Sequence, residues 1–117
     1  MKSNIEDLTS FIKTFCEERD WDQFHSPKDL AIGVSTEANE LLELFRFKSE
    51  AEVQEKMNTP EFKEKVSDEL ADIFFFVLRF AQMNKIDITE AFKAKMQKNA
   101  QKYSVEKAKG SNKKYNE

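Results

Sequence analysis

An all-α domain is predicted by three features of this 117-residue chain. Glycine and proline number only two each, too few for the turns of a sheet-rich fold. Apolar residues recur at helical spacing over long stretches. Two segments open on a hydroxyl residue followed by proline, Ser26-Pro27 and Thr59-Pro60, which suits an N-cap and a first helical position. The length fits one domain. A composition of 39% hydrophobic and 35% charged residues fits helices that are wet on one side.

The first helix is expected from about Asn4 to Arg19, with Ser3 and Glu6 at capping-box spacing. Leu8, Phe11, Ile12 and Phe15 form its apolar stripe. The segment RDWDQFH breaks the pattern and carries Trp21, Phe24 and His25. The second helix starts at the Ser26-Pro27 cap and runs to about Phe47, on Leu30, Val34, Leu41, Leu44 and Phe45. The polar stretch KSEAEVQEKMNT reads equally as a short helix or a loop. The third main helix opens at Thr59-Pro60 and carries Val66, Leu70, Ile73, Val77 and Phe80. Phe74, Phe75, Phe76 and Leu78 make it apolar almost all round, and such a helix is expected to be covered on every side. A four-helix subunit of this size cannot enclose it alone, so a homo-oligomer is expected. Asp87 and Glu90 have capping-box spacing before a fourth helix through Ile88, Ala91, Phe92, Lys95, Met96 and Asn99 to about Tyr103. The folded domain is thus expected over residues 1–103, with 104–117 a polar, flexible tail.

A formal charge of −3 argues against duplex nucleic acid as a partner, since backbone binding favours a basic surface. Cys16 is the sole cysteine, which excludes an intrachain disulfide. It lies beside Phe15 with no base nearby in sequence, and a structural or incidental role is expected rather than nucleophilic catalysis. The opening MKSNIEDL lacks the apolar run of a signal peptide, and the longest apolar stretch, Ile73 to Leu78, is far short of a membrane span. A cytoplasmic location without membrane attachment follows as the expectation.

Two carboxylate pairs carry the chemistry. Glu37 and Glu40 lie three apart in STEANELLELF, and Glu69 and Asp72 lie three apart in VSDELADIFFFVLRF. Residues at that spacing share a helix face. Acids set against apolar stripes must take up protons, form ion pairs or bind cations. If the two helices are antiparallel neighbours, all four acids line one cleft, and their mutual repulsion calls for cations or protons. All-oxygen ligation suits Mg2+, with Mn2+ the other candidate, whereas zinc favours His and Cys, of which the chain has one each. Mg2+ held by few carboxylates points to a di- or triphosphate ligand. With 22 acids in the chain the same spacing also arises by chance, as at Glu61/Glu64 and Glu40/Glu43.

Taken in order, these segments resemble the MazG-type all-α nucleotide pyrophosphohydrolases, in particular the dCTP pyrophosphatase-like branch. That family's signature is E-E-x-x-E followed by E-x-x-D on a later helix. Glu37 and Glu40 match the last two acids of the first segment, Thr36 replaces its first acid, and Glu69 and Asp72 match the second. The similarity extends to ERDWDQFHSPKDLA, ELLELFRFK and KMQKNAQKY, covering about Phe11 to Tyr103.

The resemblance implies a MazG-like four-helix-bundle-type subunit in a dimer or dimer-of-dimers tetramer. It implies hydrolysis of a deoxynucleoside triphosphate, dCTP or a modified dCTP first among them, between the α- and β-phosphates. Glu37, Glu40, Glu69 and Asp72 would be the catalytic Mg2+ ligands; where Thr36 departs from the pattern, either Glu43 would contribute instead or that place would be structural. Trp21, Phe24 and His25 would lie near the base and sugar; Lys95, Asn99 and Tyr103 would reach the phosphates. Read without the resemblance, Trp21 and Phe24 serve equally as a plug between helices, and His25 as a local cap beside Ser26. Two other readings fit the same residues: the same fold acting on dUTP or another non-canonical nucleotide, and a non-enzymatic helical interaction or nucleotide-binding protein.

Overall fold

The computed structural model describes residues 4–114. Among them are six α-helices, one 3-10 turn and no strand. The helices are α1 (Ile5–Glu18), α2 (Pro27–Glu43), α3 (Glu50–Met57), α4 (Pro60–Met83), α5 (Ile88–Lys102) and α6 (Val105–Ala108). They fall into two compact units, residues 1–85 and 86–117. None is long and apolar enough to cross a membrane, among the described residues.

In the first unit α4 is central, and α1, α2 and α3 all pack on it, α2 most extensively. Its core is Ile12 and Cys16 of α1, Leu30 of α2, and Val66, Leu78 and Ala81 of α4. Aromatic edges fill the space between helices: Phe15 meets Phe75 at 6.4 Å between ring centroids, and Phe45 meets Phe62 at 5.6 Å. The α2–α4 contact is so close that a Cβ added at Gly33 would fall 2.4 Å from the Phe76 ring. That approach explains a glycine in mid-helix, where it costs about 1 kcal/mol relative to alanine.

The helix starts follow the expected caps, with informative differences. Ser26 accepts the Asp29 N–H ahead of Pro27, and Thr59 accepts the Phe62 N–H ahead of Pro60. The expected Ser3 cap lies outside the described residues; Asn4 caps α1 through the Asp7 N–H at 2.7 Å. The ambiguous polar stretch is a helix, α3, closed by a full capping box between Ser49 and Glu52. Asp87 caps α5, but the Glu90 carboxylate sits 3.7 Å from Lys93 Nζ, so only half of the expected box forms.

The second helix ends at Glu43, four residues before its apolar pattern does. Residues 44–47 form a tight turn, and Phe47 takes φ +65°. A left-handed phenylalanine is strained; here it turns the chain so that Ser49 can start α3. On α4, Leu70 and Phe74 are 52% and 42% exposed, so the subunit leaves part of that helix uncovered. The second unit contains α5 and α6, and the segment expected as a flexible tail includes the short helix α6.

Candidate functional site

Helices α2 and α4 bring the two acidic segments together. Glu37, Glu40 and Glu69 each offer a carboxylate oxygen, and the three oxygens lie within 4.8 Å of one another. Glu37 and Glu40 share a face because they are one turn apart on α2; Glu69 meets them from α4. Glu37 Oε2 and Glu69 Oε2 are buried and accept no hydrogen bond. A buried carboxylate oxygen without a donor is costly, so this pair needs a proton or a cation.

The electrostatics agree with the geometry. Burial holds the Glu37 carboxyl above its usual range, and the charges of Glu40, Asp72 and Glu69 push it further. Burial also raises Glu69, with Glu40 and Asp72 adding to the effect. Asp72 is therefore an electrostatic neighbour of the cluster, though its own oxygens lie outside the three-oxygen group. Thr36 is exposed, and the Glu43 carboxylate pairs with Arg46 at 2.7 Å.

The donor set fits a hard divalent cation. It consists only of carboxylates on two packed helices, and two of the three carry a buried, unpaired oxygen. No imidazole or thiolate belongs to it, which disfavours zinc.

The aromatic segment lies in the same unit, between α1 and α2. The Trp21 indole packs edge-on against Phe15 at 5.7 Å and lies 6.0 Å from the His25 ring. Trp21 thus joins the two readings weighed for it: one edge plugs the helix junction while over a third of the residue stays exposed. Phe24 is 61% exposed and is no core residue. His25 is half-buried and does not cap α2, which Ser26 does alone. Instead its Nδ1 accepts a hydrogen bond from Arg79 Nε at 2.9 Å.

Arg79 is the residue that the sequence reading missed. It sits on α4, 1% exposed, in the middle of a run read as core. Besides His25 it donates to Gln82 Oε1 at 2.6 Å and to Asp22 Oδ1. The available signal was a single charge inside FFFVLRFA, a position where an arginine must find partners.

Lys95 and Asn99 lie four apart on α5, and Tyr103 is the C-cap of that helix. These three belong to the second unit. Within it, Tyr103 and Ser111 line a cleft of about 290 Å3 together with Lys102, Lys107, Lys113 and Lys114.

Comparison with known proteins gives a consistent picture. Residues 32–117 match the MazG-like family. The chain is 35% identical over 111 residues to rat dCTP pyrophosphatase 1 and 32% identical over 113 residues to the human dCTP pyrophosphatase 1. These alignments cover 95% and 97% of this chain, which spans only 65% and 66% of the length of those relatives. Among solved structures, a pyrophosphatase from Archaeoglobus fulgidus DSM 4304 superimposes with a TM-score of 0.80 at 34% identity, covering 89% of this chain and 95% of its own.

Proposed function

The chain belongs to the MazG-like family, and we propose that it is a divalent-cation-dependent nucleotide pyrophosphohydrolase. It cleaves a deoxynucleoside triphosphate between the α- and β-phosphates, giving the monophosphate and pyrophosphate. The single observation that carries this reading is the cluster of Glu37, Glu40 and Glu69 with its two buried, unpaired oxygens. The substrate class is supported by the relatives named dCTP pyrophosphatase 1 and by the structurally similar pyrophosphatase. Within that class dCTP or a 5-modified dCTP is the proposed substrate.

Glu37, Glu40 and Glu69 hold the cation, Mg2+ by preference, and Asp72 adds negative charge beside them. When bound, such an ion neutralises phosphate charge and acidifies water. Trp21 and Phe24 offer exposed aromatic faces for the base, where stacking contributes about 1–3 kcal/mol. His25 lies beside Trp21 and supplies a polar contact to base or sugar. Lys95, Asn99 and Tyr103 are proposed to contact the phosphates, and the lysine-lined cleft around Tyr103 supports an anion-binding role for that unit. The exposed Leu70 and Phe74 on α4 support association of subunits into a dimer or tetramer.

A product-resolved assay across the four dNTPs, the NTPs and 5-modified dCTP tests the reading. Monophosphate and pyrophosphate are expected, with dCTP or its derivative turned over fastest and Glu40→Gln lowering kcat by about a hundredfold or more. Release of diphosphate and single phosphate, or full turnover by Glu40→Gln with no divalent ion present, would contradict it.

A further inference from the structure

We infer that Arg79 is a positioning residue that fixes His25 as a neutral imidazole protonated only at Nε2, so that the ring meets its ligand as a hydrogen-bond donor. The inference rests, for the identity of that ligand, on the nucleotide reading above; the state of the ring rests on contacts within the chain.

The guanidinium of Arg79 is buried and permanently charged. Its Nε always carries a hydrogen, and that hydrogen points at His25 Nδ1 across 2.9 Å. A donor facing Nδ1 requires a lone pair there. A neutral ring with a lone pair on Nδ1 holds its one proton on Nε2. An imidazolium would set two N–H groups against each other.

The hold is rigid because Arg79 is itself anchored on both sides. Its two terminal nitrogens donate to Gln82 Oε1, one turn along α4, and to Asp22 Oδ1 in the 3-10 turn. Asp22 and His25 come from the connection that carries Trp21 and Phe24, so one side chain of α4 orients that segment. The charges near the ring are Arg79, Asp22 and Asp29. Burial and the Arg79 charge lower the imidazole's proton affinity, and they outweigh the two aspartates, which act the other way.

Among the described residues Nε2 makes no hydrogen bond. Its hydrogen is left for a ligand, next to the exposed Trp21 ring. A planar base stacked on that indole would therefore meet a fixed donor, and the matching group is an acceptor such as a ring carbonyl oxygen. A group that is itself only a donor is rejected there. This makes Arg79, which touches no substrate, a determinant of which base edge is accepted.

His25 is the sole histidine of the chain, so a nitrogen-15 spectrum of this 117-residue chain reports on this one ring. At neutral pH the wild-type spectrum is expected to show a pyridine-type Nδ1 and a pyrrole-type Nε2–H. In Arg79→Lys the charge is kept but the Nε–H aimed at the ring is lost, and both tautomers are expected. In the same variant KM for the preferred nucleotide should rise about tenfold while kcat changes less than about threefold, since the carboxylate cluster is untouched. A protonated Nδ1 in the wild type, or an Arg79→Lys spectrum indistinguishable from it, would overturn the inference, and the first of these needs no variant to fold. The spectrum of the free protein is independent of turnover. Absence of hydrolysis with the expected spectrum would thus count against the pyrophosphohydrolase reading alone.

Discussion

Neutralising Glu37 is expected to stabilise the cation-free protein. Its carboxyl, like that of Glu69, binds a proton more tightly in the folded chain than its ordinary value of 4.5 would give, because of burial and then the neighbouring acids. Between that value and the raised one, the folded chain holds more protons than the unfolded chain. The favourable contribution of these two groups is therefore present in acid and lost as pH rises through that window. Glu37→Gln should raise the melting temperature at neutral pH by a few degrees and abolish most of the further rise that Mg2+ or Mn2+ gives the wild type. A calorimetric pair of scans with and without cation checks both. His25 has the opposite sign: its folded-state proton affinity is lowered, so its contribution is complete above the ordinary value of 6.5 and is lost as pH falls below it. Cys16 makes a third residue-level case. The thiol is fully buried, and burial raises its pKa, so alkylation at neutral pH should be slow in the native protein and fast in denaturant. Mass spectrometry of both samples reads this directly; rapid native labelling would refute the packing of α1 on α4.

At the scale of elements, the helices whose starts carry a side-chain cap next to a strong apolar stripe were legible in the sequence. α2 and α4 are the clearest, since Ser26-Pro27 and Thr59-Pro60 mark their first residues. The helix α3 was not decided, because it buries no residue fully and has no strong apolar stripe; the Ser49 and Glu52 spacing that caps it was present in the sequence but stood inside a wholly polar stretch. The end of α2 was misplaced for the converse reason: Leu44 and Phe45 continue the stripe, although the chain has already turned. The acids were legible as two pairs, and the meeting of Glu37 and Glu40 with Glu69 required only that α2 and α4 be neighbours. Arg79 was not, because its partners Asp22 and His25 lie 57 and 54 residues earlier and no local pattern links them. The α2–α4 contact makes its own prediction. Gly33→Ala gains helix propensity of about 1 kcal/mol but forces a methyl onto the Phe76 ring, an overpacking that costs about 1–3 kcal/mol. Net destabilisation in urea is expected, with partial recovery when Phe76→Leu is added; a Gly33→Ala protein as stable as the wild type would mean that the helices are farther apart.

For the molecule as a whole, the open question posed by the sequence was how a helix apolar on nearly every face is covered. The first unit covers it on the sides that meet α1, α2 and α3, and leaves Leu70 and Phe74 exposed. A second copy of the chain is the proposed cover, and Leu70→Glu combined with Phe74→Lys should shift the sedimentation coefficient toward a single subunit without loss of helix content. An unchanged coefficient would remove α4 as the interface. The proposed activity depends most on α2 and α4 holding one cation between them against a nucleotide. Anomalous diffraction from crystals soaked with Mn2+ and a non-hydrolysable dCTP analogue measures that directly. A peak within bonding distance of Glu37, Glu40 and Glu69, adjacent to the phosphates, is the predicted result; phosphates bound elsewhere, with no peak at those three carboxylates, would contradict it.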